Sequence, residues 1–246
     1  MSISSRYSLT RIAICQLVTS FRDISMQLLF DTLMDSEYRK QWDKNMIESF
    51  ELCCVNPNND IGYYSGEWLL LRVIFTVKSF PAIKDRDFVL QRSWLQTEKE
   101  CVIFSRSVFH KALPPRKEFI RAISFLTAYR IRPHGANTCD LTYLSHCDPR
   151  GKLPSWAVNK VTHFVAPRVL KRIAKACLGY ESWKKTHRPG YKPWQFPEQC
   201  ELPRLDWSDV PTSPDIDLTP DVVVDESQVA DVNGNSMDKD DDSTIT

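Results

Sequence analysis

Two hydrophobic periods alternate along the first two hundred residues. Residues 8–21, SLTRIAICQLVTSF, are rich in β-branched and apolar side chains and predict a strand. Over 22–43 the apolar positions Met26, Leu29, Phe30, Leu33 and Met34 fall three to four apart, which predicts one helix. Six strand-like runs follow: 49–55, 61–65, 86–96, 100–109, 119–133 and 138–149. The turn-forming stretches NPNND, PAIKD, LPPRKE and PHGAN separate them. Strands in series with no helices between them argue for an antiparallel sheet.

The period returns to helical over 153–180, where Trp156, Val161, Val165, Val169, Ile173 and Cys177 form one apolar face. Lys160, Arg168, Lys171, Arg172 and Lys175 flank it. Pro167 lacks an N–H for the preceding turn, so a kink or restart is expected there, and Gly179 is the expected stop. From Pro203 apolar periodicity is lost and Asp, Ser, Thr and Pro accumulate, so 203–246 reads as an acidic disordered tail. Ser213 and Thr219 precede prolines and Ser236 precedes an acidic run, which makes them candidate phosphorylation sites. The class is α+β, one domain over 1–202 plus a tail.

Charge changes this picture more than composition does. The net charge of +1 conceals thirteen acidic against two basic residues from Glu201 onward. Residues 1–200 therefore carry thirty basic and eighteen acidic side chains. A basic body is attracted to anionic surfaces, lipid or nucleic acid. No RNP-like, zinc-finger or helix-turn-helix pattern accompanies the charge, so no nucleic-acid partner is expected. The five His and eight Cys have no metal-ligand spacing, and seven scattered Gly build no phosphate-cradling loop. No nucleophile elbow is present either, so neither enzyme activity nor a cofactor is expected. The thiols read as reduced, the N-terminus does not read as a secretory signal, and the longest apolar run, Trp68 to Val77, is broken by Arg72. A soluble cytoplasmic protein is expected.

One stretch asks for more. DSEYRKQWDKN, residues 35–45, places Arg39 and Asp43 four apart on a helix, with the base before the acid. Isolated helices favour the opposite order, and Tyr38 and Trp42 should seek burial, so charges are being carried inward.

These residues, with DSEYRKQWDKNMIESF, KDRDFVLQRSWL, PPRKEFIRAIS, the long stretch 148–178 and YKPWQFPEQ, resemble a START (StAR-related lipid-transfer) domain. The similarity runs from about Leu9 to Leu202 in consistent order and is greatest to the phosphatidylcholine-binding branch. It implies a helix-grip fold: a curved antiparallel sheet around a long C-terminal helix, enclosing a tunnel for one lipid. It also implies transfer of phosphatidylcholine or phosphatidylethanolamine between membranes, by a monomer that touches anionic membrane surfaces transiently. In that branch an Arg binds the phosphate beside an Asp, which fall on Arg39 and Asp43, and aromatic rings cage the choline, falling on Tyr64, Phe88 and Phe125. A further family tyrosine falls on Leu33, which fits a site that also accepts ethanolamine. The terminal helix, kinked near Pro167 and flanked by Arg168, Lys171, Arg172 and Lys175, is implied as lid and membrane contact.

Two departures from the family accompany this. The chain begins where the family's third strand is expected, as if its first helix and two strands were missing. Residues 66–78 lengthen one connection by about eleven residues, either as an insertion or as a retained intron. A lipid-sensing adaptor and a non-functional truncated gene product are the alternatives.

Overall fold

The computed structural model describes residues 2–7, 13–67, 84–151 and 155–211, with side chains from Cys15 onward except those of 155–167. Its strands are β1 (Ser2–Tyr7), β2 (Ala13–Arg22), β3 (Met46–Asn56), β4 (Asn59–Gly66), β5 (Arg86–Gln96), β6 (Cys101–Ser107), β7 (Ile120–Arg121), β8 (Ile123–Gly135) and β9 (Thr138–Asp148). They form one sheet in the order β1-β2-β9-β8-β6-β5-β4-β3, antiparallel throughout except for the short β7, which runs parallel to β5. The helices are α1 (Met26–Met34), α2 (Ser36–Trp42) and α3 (Ser155–Lys184). The curved sheet packs against α1 and α3, the helix-grip arrangement expected from the resemblance.

The structure adds a strand to the sequence expectation: β1 pairs with β2 from Ser2↔Val18 to Tyr7↔Ala13. It also divides the helix expected over 22–43. Ser25 caps α1, its Oγ accepting from the Leu28 N–H at 3.1 Å. Asp35 then ends α1 and starts α2: its backbone is extended, and its carboxylate accepts from the Tyr38 N–H at 3.0 Å. The apolar period runs across the break because both helices face the same core, so period alone could not reveal it.

The same Asp35 carboxylate accepts from Tyr180 Oη at 3.1 Å and Lys184 Nζ at 2.8 Å. One turn earlier, buried Asp31 accepts from Lys192 Nζ, Trp194 Nε1 and Gln195 Nε2 at 2.7, 2.8 and 3.0 Å. Two carboxylates on α1 thus hold the end of α3 and the YKPWQ segment beyond it. This changes where α3 stops. Gly179 does not end it; the helix continues to Lys184, whose ammonium is needed at Asp35. Pro167 lies within one continuous helical element, with no restart.

The core lies between α1, α3 and β2, β8 and β9, with Leu29, Phe30, Leu141, Ile131 and Ile173 all nearly inaccessible. A second cluster, Cys53, Ile61, Tyr63, Val89 and Leu113, fills the β3–β5 end. Leu205 packs on it, and this places part of the expected disordered tail within the fold. The Cys54 N–H donates to Pro203 O and the Leu205 N–H to Cys54 O, both at 2.9 Å. Lys111 N–H donates to Asp209 O at 3.0 Å. Residues 203–210 form a strap tied by these backbone hydrogen bonds to β3 and the β6–β7 connection, an arrangement hydropathy does not report. Residues 66–78 lie mostly outside the described part, which resumes at Lys84; Gly66 ends β4 and the Glu67 N–H donates to Asn45 O.

Candidate functional site

A cavity of about 310 Å³ opens between the sheet and the α1–α2 corner. Arg39 reaches it from α2. Its Nε donates to Asp43 Oδ2 at 3.0 Å, and its Cζ stands 5.1 Å from the Tyr64 ring and 5.6 Å from the Trp42 ring. Tyr64 Oη donates to the same Asp43 oxygen at 3.2 Å. Burial works against the guanidinium's charge, but Asp43, then Tyr64 and Tyr129, more than offset it and hold its pKa above the ordinary value. Burial, then Asp43, push the Tyr64 phenol up in turn, so it stays a proton donor. Among the described residues neither Nη of Arg39 has a hydrogen-bond partner, leaving two charge-assisted donors at the cavity wall. Asp43 holds the fork by its third nitrogen without occupying its open end.

The expected ring positions divide. Tyr64 and Phe88 are cross-strand partners on β4 and β5, and both line the cavity. The face of Tyr64 is, however, already beside Arg39, so it acts with the Arg–Asp pair. Phe125 is a correction: it is 45% exposed and packs against His146, ring centroids 4.9 Å apart, away from the cavity. The cause is a β-bulge. Ser124 pairs with Cys147 and Leu126 with His146, so Phe125 is an extra residue in β8 and the inward phase shifts after it. Ser124, Thr127 and Tyr129 line the cavity instead, with Tyr143 opposite Tyr129 on β9. The Tyr129 and Tyr143 centroids are 5.0 Å apart at 45°. The sequence does carry these two tyrosines at alternate strand positions, but a one-residue bulge leaves no mark that alternation can read.

Behind this cavity lies an ionic group that the sequence reading missed. Arg92 of β5 donates to Glu51 of β3 through Nη2 at 2.6 Å and to Asp60 of β4 through Nε at 3.1 Å. Burial raises the Asp60 pKa, with Arg92 opposing. The only clue in the sequence is a lone charge within FVLQRSWL. Arg92, Glu51 and Asp60 line both the first cavity and a larger cleft of about 650 Å³ beneath the C-terminal segment.

On α3, Arg168, Lys171 and Lys175 are exposed, as is Leu178 at 70%. Arg172 differs from its expected place on this face: it is half-buried, and its Nη1 donates to Asn45 Oδ1 at 3.2 Å. Leu170, Ile173, Ala176 and Cys177 form the opposite, buried face. The Pro167 side chain, and Ser213, Thr219 and Ser236, lie outside the described residues. Among those described, no helix is long and apolar enough to cross a membrane, and no cluster of potential metal ligands occurs.

Comparison with known proteins accords with this geometry. A family model for the START domain matches residues 5–184. Mouse START domain-containing protein 10 is 42% identical over 188 residues, 76% of this chain and 61% of its own length. Human phosphatidylcholine transfer protein is 33% identical over 162 residues, 64% of this chain and 70% of its own. A crystal structure of human STARD10 superposes with a TM-score of 0.71 at 37% identity, covering 84% of this chain and 85% of that one. The chain thus spans about three-fifths of the length of the first relative.

Proposed function

Because this chain belongs to the START-domain family, we propose that it binds one phospholipid, phosphatidylcholine or phosphatidylethanolamine, and carries it between membranes. The observation that supports this best is Arg39: a half-buried guanidinium at the cavity wall, clamped by Asp43 through Nε, with neither Nη hydrogen-bonded among the described residues. A planar fork suits the two free oxygens of a phosphodiester. The Asp43 carboxylate keeps the fork aligned and cancels its charge before the lipid arrives. Phe88, Tyr129 and Tyr143 offer ring faces for the head-group ammonium, each such contact contributing about 0.5–2 kcal/mol. Leu33 stands at the cavity wall with no hydroxyl to offer, so the site discriminates weakly between choline and ethanolamine.

A cavity of about 310 Å³ holds a head group and glycerol but not two long acyl chains. Loading therefore requires α3 to part from the sheet and let the chains enter. The exposed Arg168, Lys171 and Lys175, with Leu178 beside them, suit that contact with an anionic bilayer, each cation contributing about 1 kcal/mol near the surface. Cytoplasmic residence with transient membrane attachment follows from this cycle. The acidic segment 212–246, phosphorylated at Ser213, Thr219 or Ser236, would compete for the basic face and slow the cycle.

Native mass spectrometry of the full chain incubated with phosphatidylcholine vesicles tests the reading. One phospholipid per chain, lost in Arg39→Ala, is expected, together with exchange between donor and acceptor vesicles. An Arg39→Ala protein that folds and retains full loading overturns it. Loading without exchange would assign the chain to lipid sensing.

A further inference from the structure

We propose that Cys54 and Cys200 are a disulfide-forming pair that fastens the C-terminal strap to the open edge of the sheet. The inference rests on the strap and β3, and stands apart from the lipid reading. Among the described residues β3 is the last strand of the sheet, with β4 as its one full partner. The strap reaches its outer edge through one parallel bridge, Cys54 to Arg204, and two backbone hydrogen bonds, both involving Cys54. A single residue thus carries the backbone pairing at this junction.

The side chain of that residue points at the strap as well. Cys54 Sγ lies 3.7 Å from Leu202 O, two residues beyond Cys200, and the Cys54 thiol senses the Cys200 thiol electrostatically. Both cysteines line the cleft beneath the C-terminal segment. Cys200 is exposed and Cys54 half-buried, so an oxidant meets Cys200 first. Burial, then the neighbouring Cys200, push the Cys54 thiol up, which leaves it the less reactive towards the oxidant. Cys53 does not compete: it faces the other way, into the cluster of Ile61, Tyr63, Val89 and Leu113.

With a hydroperoxide as oxidant the steps balance. The Cys200 thiolate attacks the peroxide; an S–O bond forms, the O–O bond breaks, and water or an alcohol leaves. The Cys54 sulfur then attacks the resulting sulfenic acid; the S–S bond forms, the S–O bond breaks, and hydroxide leaves as water with the Cys54 proton. Two thiols are oxidised and one peroxide is reduced. The product closes a covalent loop that runs through β4 to β9 and α3, and adds a reducible covalent bond to a junction of two backbone hydrogen bonds.

The full-length protein treated with dilute hydrogen peroxide, alkylated and digested without reduction provides the test. Fragment spectra should place a cross-link between Cys54 and Cys200, removed by dithiothreitol, and Cys200→Ser should leave Cys54 free to alkylate. Hydrogen exchange at the Leu205 amide should slow by about tenfold or more in the oxidised protein and not in oxidised Cys200→Ser. Cys200 found joined to Cys53, to a second chain or to oxygen alone would overturn the pairing. So would a cross-link that leaves Leu205 exchange unchanged. Because Cys200 is exposed, its Ser variant tests the pair without disturbing the core.

Discussion

Tyr129 and Phe125 make opposite demands on the proposed site, and comparing them tests its geometry directly. Tyr129→Leu removes one ring from the cavity wall while keeping an apolar side chain of usable size. Loss of one cation–π contact, about 0.5–2 kcal/mol, corresponds to about a 2- to 30-fold loss of affinity for a choline head group. The centre of that range is expected, because Tyr143, 5.0 Å from Tyr129, and Phe88 remain to share the ammonium. Tyr129→Phe, which keeps the ring, should stay within about twofold of the parent. Phe125→Ala removes a side chain that is 45% exposed and bulged away from the cavity, so its effect should also stay within about twofold. Affinity is read by titrating each protein with vesicles carrying fluorescent phosphatidylcholine, with the phosphatidylethanolamine analogue in parallel. The reasoning fails if Phe125→Ala weakens binding as much as Tyr129→Leu, for the bulge would then not set the inward phase of β8.

Three further outcomes are expected. Asp35→Ala strands the buried Lys184 ammonium and uncaps α2, so urea unfolding should show a loss of about 3–5 kcal/mol; pairing it with Lys184→Met should recover a good part, and purely additive effects would refute the ion pair. Reversing Lys171 and Lys175 to Glu should weaken binding to anionic vesicles by at least about 1 kcal/mol per site, whereas Arg172→Gln should do less, its guanidinium being engaged with Asn45. Asp60 titrates above its ordinary 3.8, so its contribution to stability is fully present below the unfolded pKa and falls away as pH rises through the folded one; the stability difference between the parent and Asp60→Asn should shrink over that rise, and a difference that widened would contradict the sign.

Most of the sheet was legible because its signal is local. Turn residues and strand-like runs place β2 to β6 and β9, with β7 and β8 read as a single run, and Arg39 with Asp43 announce themselves by an inward-leaning charge pattern. What was not legible depends on partners far along the chain. Asp31 and Asp35 read as ordinary helix residues, since their bonding groups lie near 180–195. The bulge at Phe125 is a register event between two strands, and one strand's sequence does not record it. Pro203 to Val210 lacks apolar period because a half-buried Leu205 and a few backbone bonds hold it in place.

The two carboxylates of α1 also bear on how the protein is made. They are synthesised early, yet the cations and donors that satisfy them arrive some 150 residues later. Until Gln195 has left the ribosome, a nascent chain that buried α1 would bury two uncompensated charges. The sheet can assemble during synthesis, but α1 cannot settle against it. The last step of folding is therefore expected to be the docking of the end of α3 and the segment that follows it to Gln195, and a message cut short before Trp194 should yield a product that chaperones retain.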